Sequence, residues 1–321
     1  MLTCVAKAPA KVILIGEHWV VHGSRAIAAA VSVYARAVGR PVESGIIVSS
    51  RELGLTEDIT KCRHLCNLWR SAQYIASIVS RSPWPASIRI ESDIPVGAGM
   101  GSSAAVAVVF SACYALLGGV KPSVELVLRA AYEAEKVVHG NPSGIDNTVS
   151  ALGGFIVYRR GEKPRRLENI ELRDTRLLII DTGVPRSTKT AVERFSKRLV
   201  ELRDLGRELL SLMDRIVDRA IEALQEGSAT RFGLLLDLSH GLLNSMGVSH
   251  ESLEEAIHIS RREGAYGAKL TGAGMGGVAI ALVPRDRVAR VREALTSRGY
   301  RVLETDLGVK GYSVTSIQDH P

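Results

Sequence analysis

The chain has 321 residues, more than one hydrophobic core ordinarily serves, so two domains are expected. Its hydrophobic fraction of 46% and charged fraction of 23% match soluble globular proteins and exclude a disordered, fibrous or membrane-embedded chain. The formal charge of +7, with 31 Arg among 41 basic residues, admits an anionic partner. Basic and acidic residues are interleaved, however, as from Glu193 to Arg219, and no basic stripe with spaced aromatics marks a nucleic-acid surface. Abundant Arg with only 8 Asn and Gln suits a thermophile.

Four cysteines, Cys4, Cys62, Cys66 and Cys113, are too few and too irregularly placed for a disulfide framework, so a reduced cytoplasm is expected. Cys62-Arg-His64-Leu-Cys66 lacks the second ligand cluster that structural zinc requires. No signal peptide is indicated, and the most apolar stretch, Ala104 to Leu117, is too short to span a bilayer.

In chain order, strand-like runs occur at Cys4 to Ala8, Lys11 to Ile15 and Ser87 to Glu91, among segments with helical periodicity. Helices are expected across Ile59 to Ser80, over Ser102 to Leu117 and over Ser123 to Val138, the last two stopped by Gly118-Gly119 and Gly140. The charged, turn-rich Arg159 to Arg166 reads as a surface hairpin or linker. The expected domains are therefore residues 1–165 and 166–321. The second half opens with a buried strand, Leu177 to Asp181, followed by amphipathic helices over Ala191 to Gln225 and Ala229 to Leu243. Gly272 to Gly277 then feeds a strand, Val278 to Val283, before a helix over Arg285 to Arg298 and strands near Tyr300 to Glu304 and Gly311 to Ser316.

The strongest chemical signal is the run from Ile94 to Ala105, with alternate glycines at Gly97, Gly99 and Gly101 followed by Ser102 and Ser103. Such glycines let a backbone approach a ligand closely, and the chain then enters a helix whose first amides and positive dipole end favour an anion. This is a phosphate cradle, and the two serine hydroxyls stand where a phosphate or its magnesium ion would be. A Walker loop would continue Gly-Lys and then Ser or Thr, which these glycines do not. Gly272-Ala-Gly274-Met-Gly276-Gly277 matches the dinucleotide fingerprint literally but precedes a strand instead of opening a helix, and the first loop has no acidic residue about 20 positions on. A nicotinamide or flavin enzyme is thereby disfavoured.

Four segments together resemble the GHMP kinase superfamily, in the form found in its mevalonate kinases. They are Pro9 to Gly23 with its Lys11 and Glu17-His18 pair, Pro95 to Ala105, His139 to Asn147, and Lys269 to Gly277. The resemblance spans nearly the whole chain and implies an α+β, two-domain fold. Its N-terminal α/β domain carries the phosphate loop, its C-terminal domain is ferredoxin-like, and the active site lies in the cleft between them. It implies ATP-dependent phosphorylation of the 5-hydroxyl of mevalonate with Mg2+, in the cytoplasm, by a homodimer.

By resemblance, Asp146 is the general base, placed in a Gly/Pro-containing loop, and Lys11 contacts it and the developing charge. Gly97, Ala98, Gly99, Met100, Gly101, Ser102 and Ser103 wrap the triphosphate, with Ser92 as an additional phosphate contact. Ser103 and Glu135 hold magnesium. Glu17, His18, His139, Ser143 and Thr188 stand near the substrate. Sugar kinases of this type continue Glu-His with Thr-Asp-Tyr, whereas this chain continues Trp19-Val20-Val21, which favours mevalonate. Trp19 replaces the small residue usual there, and it either reshapes the pocket or packs into the core. A phosphomevalonate or sugar kinase, and a non-catalytic nucleotide-binding regulator of the same fold, are the alternatives. The Lys11 motif reads as a kinase's and not as a decarboxylase's.

Overall fold

A computed structural model describes residues 2–61, 63–95, 97–140 and 142–318. Cys62, on which the zinc motif turned, lies outside the described residues, as do Val96 and Asn141.

The two strand-like runs at the start form one strand, β1 (Leu2–Ile15). It alternates buried and half-buried residues as far as Ala8, then is buried on both faces from Pro9 to Val12. Its pairing with β2 (Ala26–Pro41) shifts register between Pro9 and Ala10. A proline, having no N–H to give to the ladder, is at home at such a bulge, and this one falls two residues before Lys11. β2 is Ala-rich, and sequence periodicity did not mark it.

The remaining strands of this large mixed sheet are β3 (Ile46–Ser50), β4 (Leu55–Asp58), β5 (Ala86–Ser92), β6 (Phe155–Tyr158) and β7 (Arg165–Leu167). β2 pairs with β5 through its second half and with β6 through its first, and β3 lies parallel to β5. The expected hairpin at Arg159 to Arg166 is the β6–β7 connection. The last strand, β12 (Ser313–Gln318), returns from the far end of the chain to pair antiparallel with β1.

Four helices cover one face of this sheet: α1 (Cys66–Ile78), α2 (Ser102–Leu117), α3 (Val124–His139) and α4 (Ile145–Leu152). α2 lies between β1 and β2 on one side and the other three helices on the other. Nearly every residue after Ser103 is therefore buried, as an all-round apolar helix requires. α1 starts later than the helix expected from Ile59. The backbone N–H groups of His64 and Leu65 donate to the Glu57 carboxylate there, satisfying donors that a helix start leaves unpaired.

The second layer is a four-stranded antiparallel sheet in the order β11 (Arg301–Thr305), β8 (Thr175–Asp181), β10 (Val278–Pro284), β9 (Gly267–Thr271). Taken from β8, that is the 4-1-3-2 order of a ferredoxin-like sheet. Five helices accompany it: α5 (Thr188–Glu201), α6 (Asp204–Gln225), α7 (Ala229–Ser245), α8 (Glu251–Arg262) and α9 (Val288–Thr296). The single helix expected over 191–225 is broken between α5 and α6, where Arg203 takes a left-handed φ of 52°.

Ties between the layers are polar and specific. Arg25 forms a bidentate pair with Asp218 and bonds Asp214 of α6, which Arg159 also engages. Ser24 Oγ donates to Leu210 O, and Thr271 Oγ1 donates to Ile13 O. Cys66 is disulfide-bonded, a departure from the reduced thiols expected, whereas Cys4 and Cys113 are free and buried. Among the described residues no helix is long and apolar enough to cross a membrane.

Candidate active site

A cleft of about 650 Å3 runs along the start of α2, and His139, Asp146, Thr188 and the expected phosphate loop, except for Ala98, line it. Ile90, Leu65, Leu68 and Val106 give it an apolar end. A second cavity of about 460 Å3 adjoins it at His64.

The loop is built by alternation. Ala98 and Met100 are buried anchors, and the glycines that alternate with them, Gly97 and Gly99, are exposed. Gly99 and Gly101 hold φ of 71° and 72°, a region that costs other residues strain. A Cβ on Gly99 would also lie 1.9 Å from Arg186 Nη2, so the guanidinium would have to move to admit one. Gly101 caps α2 without any side-chain hydrogen bond, so the helix's first amides are left open at its positive end. Ser92, at the end of β5, lines the same cleft, and its Oγ accepts from Ile94 N.

Asp146 is in the first turn of α4, not in a loop as expected. Its Oδ1 is 3.1 Å from Lys11 Nζ. Lys11 also donates from Nζ to Gly99 O at 3.0 Å and from its backbone to Met100 O at 3.0 Å. The strand that carries the lysine is thus stitched to the phosphate loop, and the lysine sets the aspartate beside it. Lys11 is 5% exposed and Asp146 35%, so the carboxylate is the member of the pair open to the cleft.

Ser103 Oγ donates to Glu135 Oε1 at 2.6 Å, and the other carboxylate oxygen lies 3.5 Å from His139 Nε2. Burial pushes the Glu135 carboxyl up, a bias that the Ser103 hydrogen bond and the nearby His139 oppose. A hydroxyl and a desolvated carboxylate form the hard-oxygen donor set that suits Mg2+, which takes its remaining oxygens from phosphate and water. Among the described residues no cluster of three or more His, Cys, Asp or Glu could cage a metal.

Sequence reasoning missed Arg186. Its side chain lies between the two glycine loops, with Nη2 3.4 Å from Gly97 O and Nη1 3.5 Å from Thr271 O. Added Cβ atoms on Gly272 and Gly277 would come within 2.6 Å and 2.8 Å of it. Burial lowers its pKa from the ordinary arginine value. A half-desolvated guanidinium facing a cleft, with backbone carbonyls as its hydrogen-bond partners, is suited to an anion. One arginine among 31 carries no sequence signal of this kind.

Three of the expected substrate residues stand apart from the cleft lining. Glu17 is 1% exposed and pairs with the equally buried Lys269. His18 is buried, and its Nε2 is 2.8 Å from Ala273 O. Ser143 lines a separate groove of about 530 Å3 behind α3 and α4, where its carbonyl accepts from Tyr158 Oη at 2.6 Å. Trp19 is fully buried and meets Phe195 edge-on, which decides its role in favour of core packing.

Comparison with known proteins agrees with this architecture. The family models described as GHMP kinases N terminal domain and GHMP kinases C terminal match residues 67–154 and 220–301. The mevalonate kinase of Aeropyrum pernix is 36% identical, covering 95% of this chain and 96% of its own. That of Pyrococcus horikoshii is 38% identical over 91% of each. The solved structure of L. major mevalonate kinase in complex with R-mevalonate superposes with a TM-score of 0.78 at 29% identity, covering 95% of both chains. Its two family-model matches and its relatives over nearly full length establish that the chain belongs to the GHMP kinase family, among its mevalonate kinases.

Proposed function

We propose that the chain transfers the γ-phosphoryl group of ATP to the 5-hydroxyl of mevalonate, giving mevalonate 5-phosphate and ADP. The observation that carries this reading is the Lys11–Asp146 pair, held at 3.1 Å against the open N-terminus of α2. There a proton acceptor and a phosphate cradle converge on the space that a hydroxyl nucleophile would enter.

In that reading the triphosphate lies along Gly97 to Ser103, its charge met by the α2 amides. Asp146 receives the hydroxyl proton, as the acceptor oxygen forms its bond to the γ-phosphorus and the β–γ bridging oxygen departs with ADP. Lys11 fixes the orientation of that carboxylate and offsets charge that develops beside it. Mg2+ held by Ser103, Glu135 and the nucleotide would neutralise phosphate oxygens. Arg186 and Thr188 stand on the facing wall, where the guanidinium pairs with the acceptor's carboxylate. His139, on the Glu135 side, faces the same space. Glu17 and His18 act from behind the cleft instead of touching substrate.

The division of labour goes with it: residues 1–165 supply the phosphate loop and proton acceptor, and 166–321 supply Arg186, Thr188 and the third glycine loop. β12 is the exception, since it completes the N-terminal sheet. A cytoplasmic homodimer is part of the same reading, and sedimentation at assay concentration tests the assembly.

The catalytic reading is tested by ADP release with Mg2+ and ATP when mevalonate, phosphomevalonate and galactose are offered separately. Turnover with mevalonate alone is expected, and turnover with only one of the others would discard the substrate. Arg186→Met should raise the mevalonate KM about tenfold or more, the scale of a lost charge-assisted contact, and change the ATP KM less.

A further inference from the structure

Arg186 and Thr188 belong to a short connection and the first turn of α5, and α5 is lightly held. Its buried residues are the single stripe Ala191, Phe195 and Leu199. Of these, Phe195 is the large one and is fully buried. It sits seven positions after Thr188, two helical turns, and so on the same side of the helix.

Phe195 is gripped by one turn of the N-terminal layer. The His18 ring stacks on it with centroids 5.0 Å apart at 14°, and Trp19 meets it edge-on at 4.8 Å and 89°. The His22 ring stacks at 5.6 Å and 22°, and His22 Nε2 is also 3.0 Å from Ser196 Oγ. Edge-to-face and offset arrangements at these separations are favourable beyond the area they bury.

The same turn holds the other side of Arg186. His18 has a left-handed φ of 60°, a strain that persists only where the surroundings impose it. Its Nε2 lies 2.8 Å from the carbonyl of Ala273, inside the glycine loop against which Arg186 rests. The turn from His18 to His22 therefore fixes both the seat of the guanidinium and the helix that follows it.

Resting on the kinase reading above, we propose that Phe195 is a positioning residue for the acceptor site. Its aromatic cage sets the place of α5 and, through α5, aims Arg186 and Thr188 at the substrate. Trp19 is accordingly a wall of that cage, acting through packing although it never reaches the cleft.

The test is steady-state kinetics of Phe195→Leu, which keeps apolar bulk but loses the ring contacts. Removing an interaction that aims a binding group raises KM with kcat largely kept, so we expect the acceptor KM to rise about tenfold, with kcat and the ATP KM within about twofold. A purely structural role would lower the active fraction, and hence apparent kcat, at unchanged acceptor KM, and that result overturns the proposal. In an Arg186→Met background the Phe195→Leu increment should shrink to under about twofold, because coupled residues are not additive. An undiminished increment also overturns it. Should Phe195→Leu not fold, His22→Leu at the half-exposed rim, made in both backgrounds, is read by the same two criteria. Wild-type turnover of mevalonate tests the kinase reading separately, and the variant ratios are taken with whichever acceptor the wild type uses.

Discussion

Two lysine–carboxylate pairs in this molecule have the same chemistry and opposite surroundings. Lys11 and Asp146 are 5% and 35% exposed, whereas Lys269 and Glu17 are 0% and 1% exposed. In the first pair the carboxylate faces a cleft and can exchange a proton with what enters it. The second joins β9 to the turn after β1 across 252 residues of sequence, and its lysine also donates to Leu270 O. Burial pushes the Glu17 carboxyl up and pulls the Lys269 ammonium down, and each resists the other's shift. The same pairing of ammonium and carboxylate thus faces a cleft in one place and bolts two elements together in the other, and solvent access is what separates them.

The largest effect expected from breaking the comparison is on stability at the buried pair. Lys269→Met leaves Glu17 alone and should cost about 3–5 kcal/mol in denaturant unfolding. That deficit has a sign in pH. A carboxyl whose folded pKa lies above its unfolded value of 4.5 favours the folded state below that value and loses the advantage as pH rises through the folded pKa. The deficit of Lys269→Met should therefore narrow as pH falls toward 4.5. A deficit independent of pH would mean that Glu17 is not the group left stranded.

At the open pair the effect moves from folding to rate. Asp146→Asn should lower kcat about 100-fold or more, as for loss of a general base, while the buried Lys11 keeps its hydrogen bond to Gly99 O. Activity within threefold of the parent would remove Asp146 from the chemistry. The smallest effect is expected where both charges of the bolt are replaced. Glu17→Gln with Lys269→Met removes the stranded charge, and its stability should return to within about 1–2 kcal/mol of the parent, since neutral replacements of buried pairs are often tolerated. A double variant as unstable as Lys269→Met would instead assign the loss to packing.

What could be read in advance follows the range of the cause. The glycine run and α2 were legible to the residue, since glycine spacing, helix start and all-round apolar burial are local. Lys11, Ser103, Glu135 and Asp146 were found through motif resemblance, and the structure brings them to one place. β2 was not legible because its Ala28-Ala29-Ala30 run carries no strand signal. Its place is fixed by pairing with β1, β5 and β6, a tertiary decision that overrides propensity. α4 escaped because eight residues after Gly144 are too few for periodicity to show. Arg186, Phe195 and the Glu17–Lys269 bolt were silent for another reason. Each matters through partners far off in sequence, and nothing in the flanking residues distinguishes them.

The central claim is the identity of the product. 31P NMR of a reaction containing the protein, Mg2+, ATP and R-mevalonate should show the γ-phosphate resonance replaced by ADP and a phosphomonoester on the C5 methylene, and none with Asp146→Asn on the same time scale. ADP with inorganic phosphate alone, or a phosphorylated product only when another acceptor is supplied, would contradict it.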